Sequence, residues 1–120
     1  MKERSSGRNG LRQALAANNL TALLAERVMG WTVAPDRFLT GKRGWTPRWK
    51  FQPFKRLDHA FRLLDQLAPE KFTMGATEDG CFWAKVRVAG TTGEAHESSK
   101  AMAITFAVAR ALGIDVEANG

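Results

Sequence analysis

The stretch GKRGWTPRWKFQPFKR, residues 41–56, holds six cations, two tryptophans, two phenylalanines and two prolines in sixteen residues. Cations at that density neutralise phosphates, and tryptophans among them offer flat faces on which unpaired bases stack. The candidate surface for nucleic acid or another anionic partner is therefore Lys42, Arg43, Trp45, Arg48, Trp49, Lys50, Lys55 and Arg56. Lys85 and Arg87 alternate with apolar residues further along the chain and would extend the patch. A different chemistry fits the same residues: the rings anchor a small core while the cations lie around them with their heads in water. The spacing leans that way, with Trp45, Trp49 and Phe51 covering a sheet face and the cations outward. The burial of Trp45 and Trp49 decides between the two.

Catalytic chemistry finds less support. His59 adjoins Asp58, and His96 stands between Glu94 and Glu97, with no HxxxH or HxH spacing to gather metal ligands. Both histidines read as surface residues. Cys81 is the single cysteine, so the chain has neither an internal disulfide nor a cysteine-cluster zinc site. Nothing beside Cys81 in the sequence activates it, and it reads as a structural thiol. Ser98 and Ser99 sit where a helix cap belongs, without a GxSxG elbow or an SxxK pattern. Asp65 and Glu70 read as surface charge, and no P-loop or GxGxxG is present. The expectation is a non-enzyme with no catalytic residues, no metal and no cofactor.

Charge is divided along the chain of 120 residues, whose net formal charge is +6. Residues 31–56 carry seven cations against one anion, whereas residues 57–120 carry six against nine. A basic first half joined to a mildly acidic second half points to an anionic partner for the first. The length suits one domain. The reading is a flexible tail at 1–9, a single domain at 10–116 and a flexible end at 117–120. No apolar run reaches membrane-spanning length, no leader pattern opens the chain, and the expected location is cytoplasmic.

The elements that must position these residues follow from periodicity. Leu20, Leu23, Leu24 and Val28 share one helical face within 11–29, and Gly30 stands at the C-cap position. Residues 31–56 have no sustained period and read as a long loop pinned by Trp31, Phe38, Trp45 and Trp49. Leu57, Ala60, Phe61, Leu64 and Leu67 mark a second helix, closed by Pro69. The period then drops to two. A three-residue turn, Glu78-Asp79-Gly80, pairs Phe72 with Val86, Met74 with Ala84 and Ala76 with Phe82, which keeps apolar residues on one face. Trp83, Lys85 and Arg87 take the other face. GTTG turns the chain into a short third strand around 94–97, and a last helix follows with Met102, Phe106 and Ala109 along its apolar face and Ala103 and Val108 flanking it. The fold class is α+β: a three-stranded antiparallel sheet layered with helices, in the order α, long loop, α, β, β, β, α.

Three stretches, LAERVMGW (24–31), Pro53 followed by LDHAFRLLDQL (57–67), and the strand pair leading into SSKAMAITFAVARALG (98–113), resemble the phage ABA-sandwich family. The resemblance spans about residues 20–113 and implies a sheet layered with helices and a phage or prophage origin. It brings no catalytic residue or cofactor. Phe54-Lys55-Arg56 stands where the family places a Ser or Thr cap, so the second helix is expected to begin differently. The family brings no established activity; the leading reading is a small non-enzymatic phage or prophage accessory protein that binds a host or phage macromolecule inside the host cell, with counter-defence as one role. The alternatives are weakly specific nucleic-acid binding through residues 42–56, and an oligomeric or structural role in the virion.

Overall fold

A computed structural model describes residues 19–41 and 43–114. The expected tails and the first turns of the expected first helix lie outside the described residues. Helix α1 is seen over residues 19–27. It stops where Gly30 takes a left-handed φ of 72°, and the Trp31 N–H donates to the Ala25 carbonyl at 3.0 Å. Then come β1 (Thr32–Val33), β2 (Arg37–Leu39), β3 (Trp45–Pro47) and a 3-10 turn at Arg48–Lys50. Helix α2 (Leu57–Leu67), strands β4 (Lys71–Ala76), β5 (Phe82–Val88) and β6 (Thr91–Glu97), and helix α3 (Lys100–Ala111) complete the chain. The class is α+β, with two three-stranded antiparallel sheets, β1-β2-β3 and β4-β5-β6.

The main sheet has the register that its alternation demands, with Phe72 opposite Val86, Met74 opposite Ala84 and Ala76 opposite Phe82. Gly80 supplies the left-handed position at φ 85°. The next turn differs from expectation. It is Ala89-Gly90, with φ of 50° and 81°, so Thr91 already pairs with Val88 and the third strand gains three residues at its start. The GTTG pattern marked the return one turn late, because Ala89 adopts the left-handed conformation that sequence reasoning reserves for glycine. Inside β6, Gly93 has another duty. A Cβ there would collide with the backbone of Ala107 and Ala111, so its lack of a side chain lets α3 lie directly on the strand.

Helix α3 is capped as expected, with Ser99 Oγ accepting from the Met102 N–H at 3.1 Å. Its apolar face needs correction. Ala109 is buried as expected, together with Ala103, Ile104, Ala107, Val108 and Ala111, while Met102 and Phe106 are only half-buried. Small residues turn toward the main sheet, and Phe106 turns sideways to pack on Phe54 with ring centroids 4.9 Å apart. Helix α2 starts on Arg56 without a side-chain cap, matching the missing Ser or Thr. It ends on Ala68 at φ 50°, immediately before Pro69.

The expected long loop is where the structure departs furthest from the sequence reading. Thr32–Val33, Arg37–Leu39 and Trp45–Pro47 form a second sheet, with Val33 opposite Phe38, Phe38 opposite Thr46 and Leu39 opposite Trp45. Strands of two or three residues are too short to print a period, and Pro47 is tolerated because β3 is an edge. Three rings hold this sheet: Trp31 lies 5.7 Å from Phe38 and 5.1 Å from Phe51, and Phe38 lies 6.1 Å from Phe51. The connection onward is tied to α3 by the buried Thr105 hydroxyl, which donates to the Pro53 carbonyl at 2.8 Å.

Candidate anionic-partner surface

Alternation along three short strands sorts the aromatics of the small sheet. Trp31, Val33, Phe38 and Thr46 fall on the face toward the helices, and Leu39 and Trp45 fall on the other. Trp31 and Phe51 are therefore 8% and 4% exposed, while Trp45 and Trp49 are 54% and 68% exposed. This corrects the inward placement expected for Trp45 and Trp49. Three aromatics, Trp31, Phe38 and Phe51, build the core of this segment, and Trp45 and Trp49 stand in solvent.

The cations around them divide by partner. Arg37 pairs with Asp36 at 3.0 Å and places its guanidinium 4.4 Å from the Trp45 ring centre. Arg48 is half-buried; it donates to the Ala34 carbonyl at 3.4 Å and covers the Phe38 ring, so its work is structural. Arg56 pairs with Asp58 at 3.2 Å, and that guanidinium holds the Asp58 carboxyl below the usual range. Arg43, Lys50, Lys55 and Arg62 have no carboxylate ion pair among the described residues. These four are the cations available to an anion. Lys42 lies outside the described residues.

The 3-10 turn forms a ridge between two open clefts. One, of about 720 Å³, has Trp31 and Phe51 among its lining, with Trp45, Lys50, His59 and Arg62 around them. The other, of about 700 Å³, is bordered by Arg48, Trp49, Phe54 and Lys55. Lys50 reaches to 5.7 Å from the Trp49 ring centre, so a cation flanks each exposed indole. Arg62 and Arg37 are the residues that sequence reasoning left out. Arg62 belongs to α2, and its guanidinium sits 5.6 Å from the Trp31 ring centre. Its place three residues after His59 on the helix is legible only once the loop is known to fold over that turn.

His59 also differs from the surface residue expected. It is half-buried, stacked on Phe51 at 5.9 Å, and its Nδ1 accepts the Gln52 N–H at 3.0 Å. Burial pushes its pKa below 6.5, which Asp58 only partly opposes. The imidazole thus fastens the loop in its neutral form. Lys85 and Arg87 lie elsewhere, on the outer face of the main sheet in a groove shared with Lys71, Thr73 and Thr92. No described residue of the 41–56 stretch lines that groove.

His96 is exposed, as expected, and Cys81 is half-buried. Burial, followed by the Asp79 charge, pushes the Cys81 thiol up, which argues against a nucleophilic role. Strand pairing nonetheless brings His96 toward Cys81, a proximity that their separation in sequence concealed. Among the described residues no helix is long and apolar enough to cross a membrane.

The described residues thus combine an α+β frame with a basic aromatic surface. The profile of the Phage ABA sandwich domain matches residues 22–109, and the chain belongs to that family. The crystal structure of a phage protein from Bacillus cereus ATCC 14579 is similar in fold. It has a TM-score of 0.67 at 16% identity, over 82% of this chain and 89% of that one. No curated protein sequence matches the chain.

Proposed function

We propose that this phage protein is a non-enzymatic accessory protein acting inside the host cell, and that it binds unpaired nucleic acid through the small sheet. The observation that carries this reading is the exposure of Trp45 and Trp49, with Lys50, which has no carboxylate partner among the described residues, against the Trp49 ring and in the same cleft as Trp45. A solvated indole costs the fold hydrophobic stabilisation, and a base stacked on it restores burial at about 1–3 kcal/mol per base. Lys50 and Arg62 border the first cleft and Lys55 the second, so a strand crossing the 3-10 ridge meets positive charge on both sides. Stacking on indoles and contacts to phosphates tolerate any sequence, so the binding is weakly specific.

Fluorescence anisotropy with single-stranded and duplex DNA and RNA at two salt concentrations tests the reading. Single strands are expected to bind more tightly than duplexes. Four phosphate contacts give a slope of log affinity on log salt of about −3. The combined variant Arg43→Glu, Lys50→Glu, Lys55→Glu and Arg62→Glu loses binding. Undetectable affinity at low salt, or affinity unchanged by charge reversal, rejects nucleic acid as the partner. A host protein captured through the same residues would then make the surface a protein-binding one.

A further inference from the structure

At the opposite end of the chain's charge pattern, on the main sheet, three different metal-binding side chains converge. Asp79 lies in the β4–β5 turn, Cys81 immediately precedes β5, and His96 lies on β6. Trp83 pairs with His96, and Cys81 is two residues before Trp83 on the same face, so His96 is the diagonal neighbour of Cys81. One donor atom from each of the three lies within 4.8 Å of the others. We propose that Asp79, Cys81 and His96 bind one Zn²⁺ ion, with water in the fourth position.

The donor set selects the metal. A thiolate and an imidazole disfavour Ca²⁺ and Mg²⁺, which take oxygen ligands, and suit a borderline ion that accepts tetrahedral geometry. Around tetrahedral zinc such donors stand about 3.3–3.6 Å apart, from bond lengths near 2.0 Å to nitrogen and oxygen and 2.3 Å to sulfur. The needed adjustment falls chiefly on the side chain of His96, which is exposed. The backbone that carries them is fixed by the pairing of Phe82 with Glu97 and Trp83 with His96.

Outer contacts also match a ligand set. Asp79 Oδ1 accepts from the Thr77 hydroxyl and from the Cys81 N–H, which fixes the carboxylate's orientation. The Thr77 hydroxyl in turn accepts from the same N–H at 3.1 Å. Such partners of ligands are a regular part of metal sites. Charge balances as well: a thiolate and a carboxylate neutralise the divalent ion. Binding forms an S–Zn bond at Cys81 and releases the thiol proton to buffer, so affinity rises with pH. The ion would clip the β4–β5 turn to the end of β6, independently of the small sheet and its partner.

The test is titration of the reduced, metal-free full chain with Co²⁺, followed by displacement with Zn²⁺. One equivalent of Co²⁺ is expected to produce a thiolate-to-cobalt band in the near ultraviolet and visible bands of tetrahedral intensity, all erased by Zn²⁺. Cys81→Ser abolishes the near-ultraviolet band. His96→Gln and Asp79→Asn each weaken binding by more than tenfold, and Thr77→Val, which touches no metal, weakens it by about tenfold. Circular dichroism of His96→Gln, an exposed position, should match the parent, so a loss of metal is not a loss of fold. Absence of the bands, equal affinity in His96→Gln, or one cobalt shared by two chains overturns the proposal.

Discussion

In the main sheet, strands of six or seven residues lay alanines and one glycine against α3, whereas in the small sheet strands of two or three residues hang on three interlocked rings. The first arrangement brings backbones together and leaves no room for change at Gly93. The second needs large side chains on one face because it has few backbone hydrogen bonds to hold it. Anchored from that face, its other face is released from any packing duty, and Leu39 and Trp45 stand there in solvent. A sheet too small to have its own core can thus be a rigid display surface, provided that another element supplies the third ring. Phe51, just beyond the 3-10 turn, does so.

The sharpest way to break this contrast is to remove an anchor. Phe38→Ala deletes the most buried ring of the small sheet and should cost about 4 kcal/mol in urea unfolding, in a single cooperative transition. A loss below about 1 kcal/mol would show the small sheet to be separable from the rest. On the other side of the comparison, Gly93→Ala places a methyl against the backbone of α3, which cannot move aside as a side chain would. Its expected cost is about 3 kcal/mol by the same measurement.

The link between the two regions is weaker. Thr105→Val leaves the buried Pro53 carbonyl without its donor, and about 1–2 kcal/mol of stability should go with it. Acid probes the same junction. Folding lowers the His59 pKa, so the neutral ring's contribution is complete above about 6.5 and is lost as pH falls through the lower folded value. Thermal unfolding across that window should show the decline, and His59→Asn, which retains an acceptor and cannot charge there, should flatten it.

How much of this was legible depends on strand length and on neighbours. Phe72, Met74, Phe82, Ala84 and Val86 alternate over enough residues to fix both the hairpin and its register, with Gly80 marking the turn. Val33, Phe38 and Thr46 belong to strands too short to alternate, so the sequence of the small sheet reads as loop. Its composition did announce anchoring, and Trp31 and Phe38 are indeed buried. It did not say which rings anchor, because the inward or outward sense of Trp45 follows from its pairing with Leu39. Arg62 and the proximity of Cys81 to His96 were hidden for a related reason: each joins residues that only tertiary pairing makes neighbours.

Trp45 and Trp49, on the reading proposed above, serve a ligand and not the fold. The direct test is to compare the double variant Trp45→Ala, Trp49→Ala with its parent in urea unfolding and in single-stranded DNA binding. Stability within about 0.5 kcal/mol of the parent, together with at least tenfold weaker binding, is the predicted result. A loss of several kcal/mol with binding per folded molecule unchanged would contradict it, and would return both tryptophans to the core.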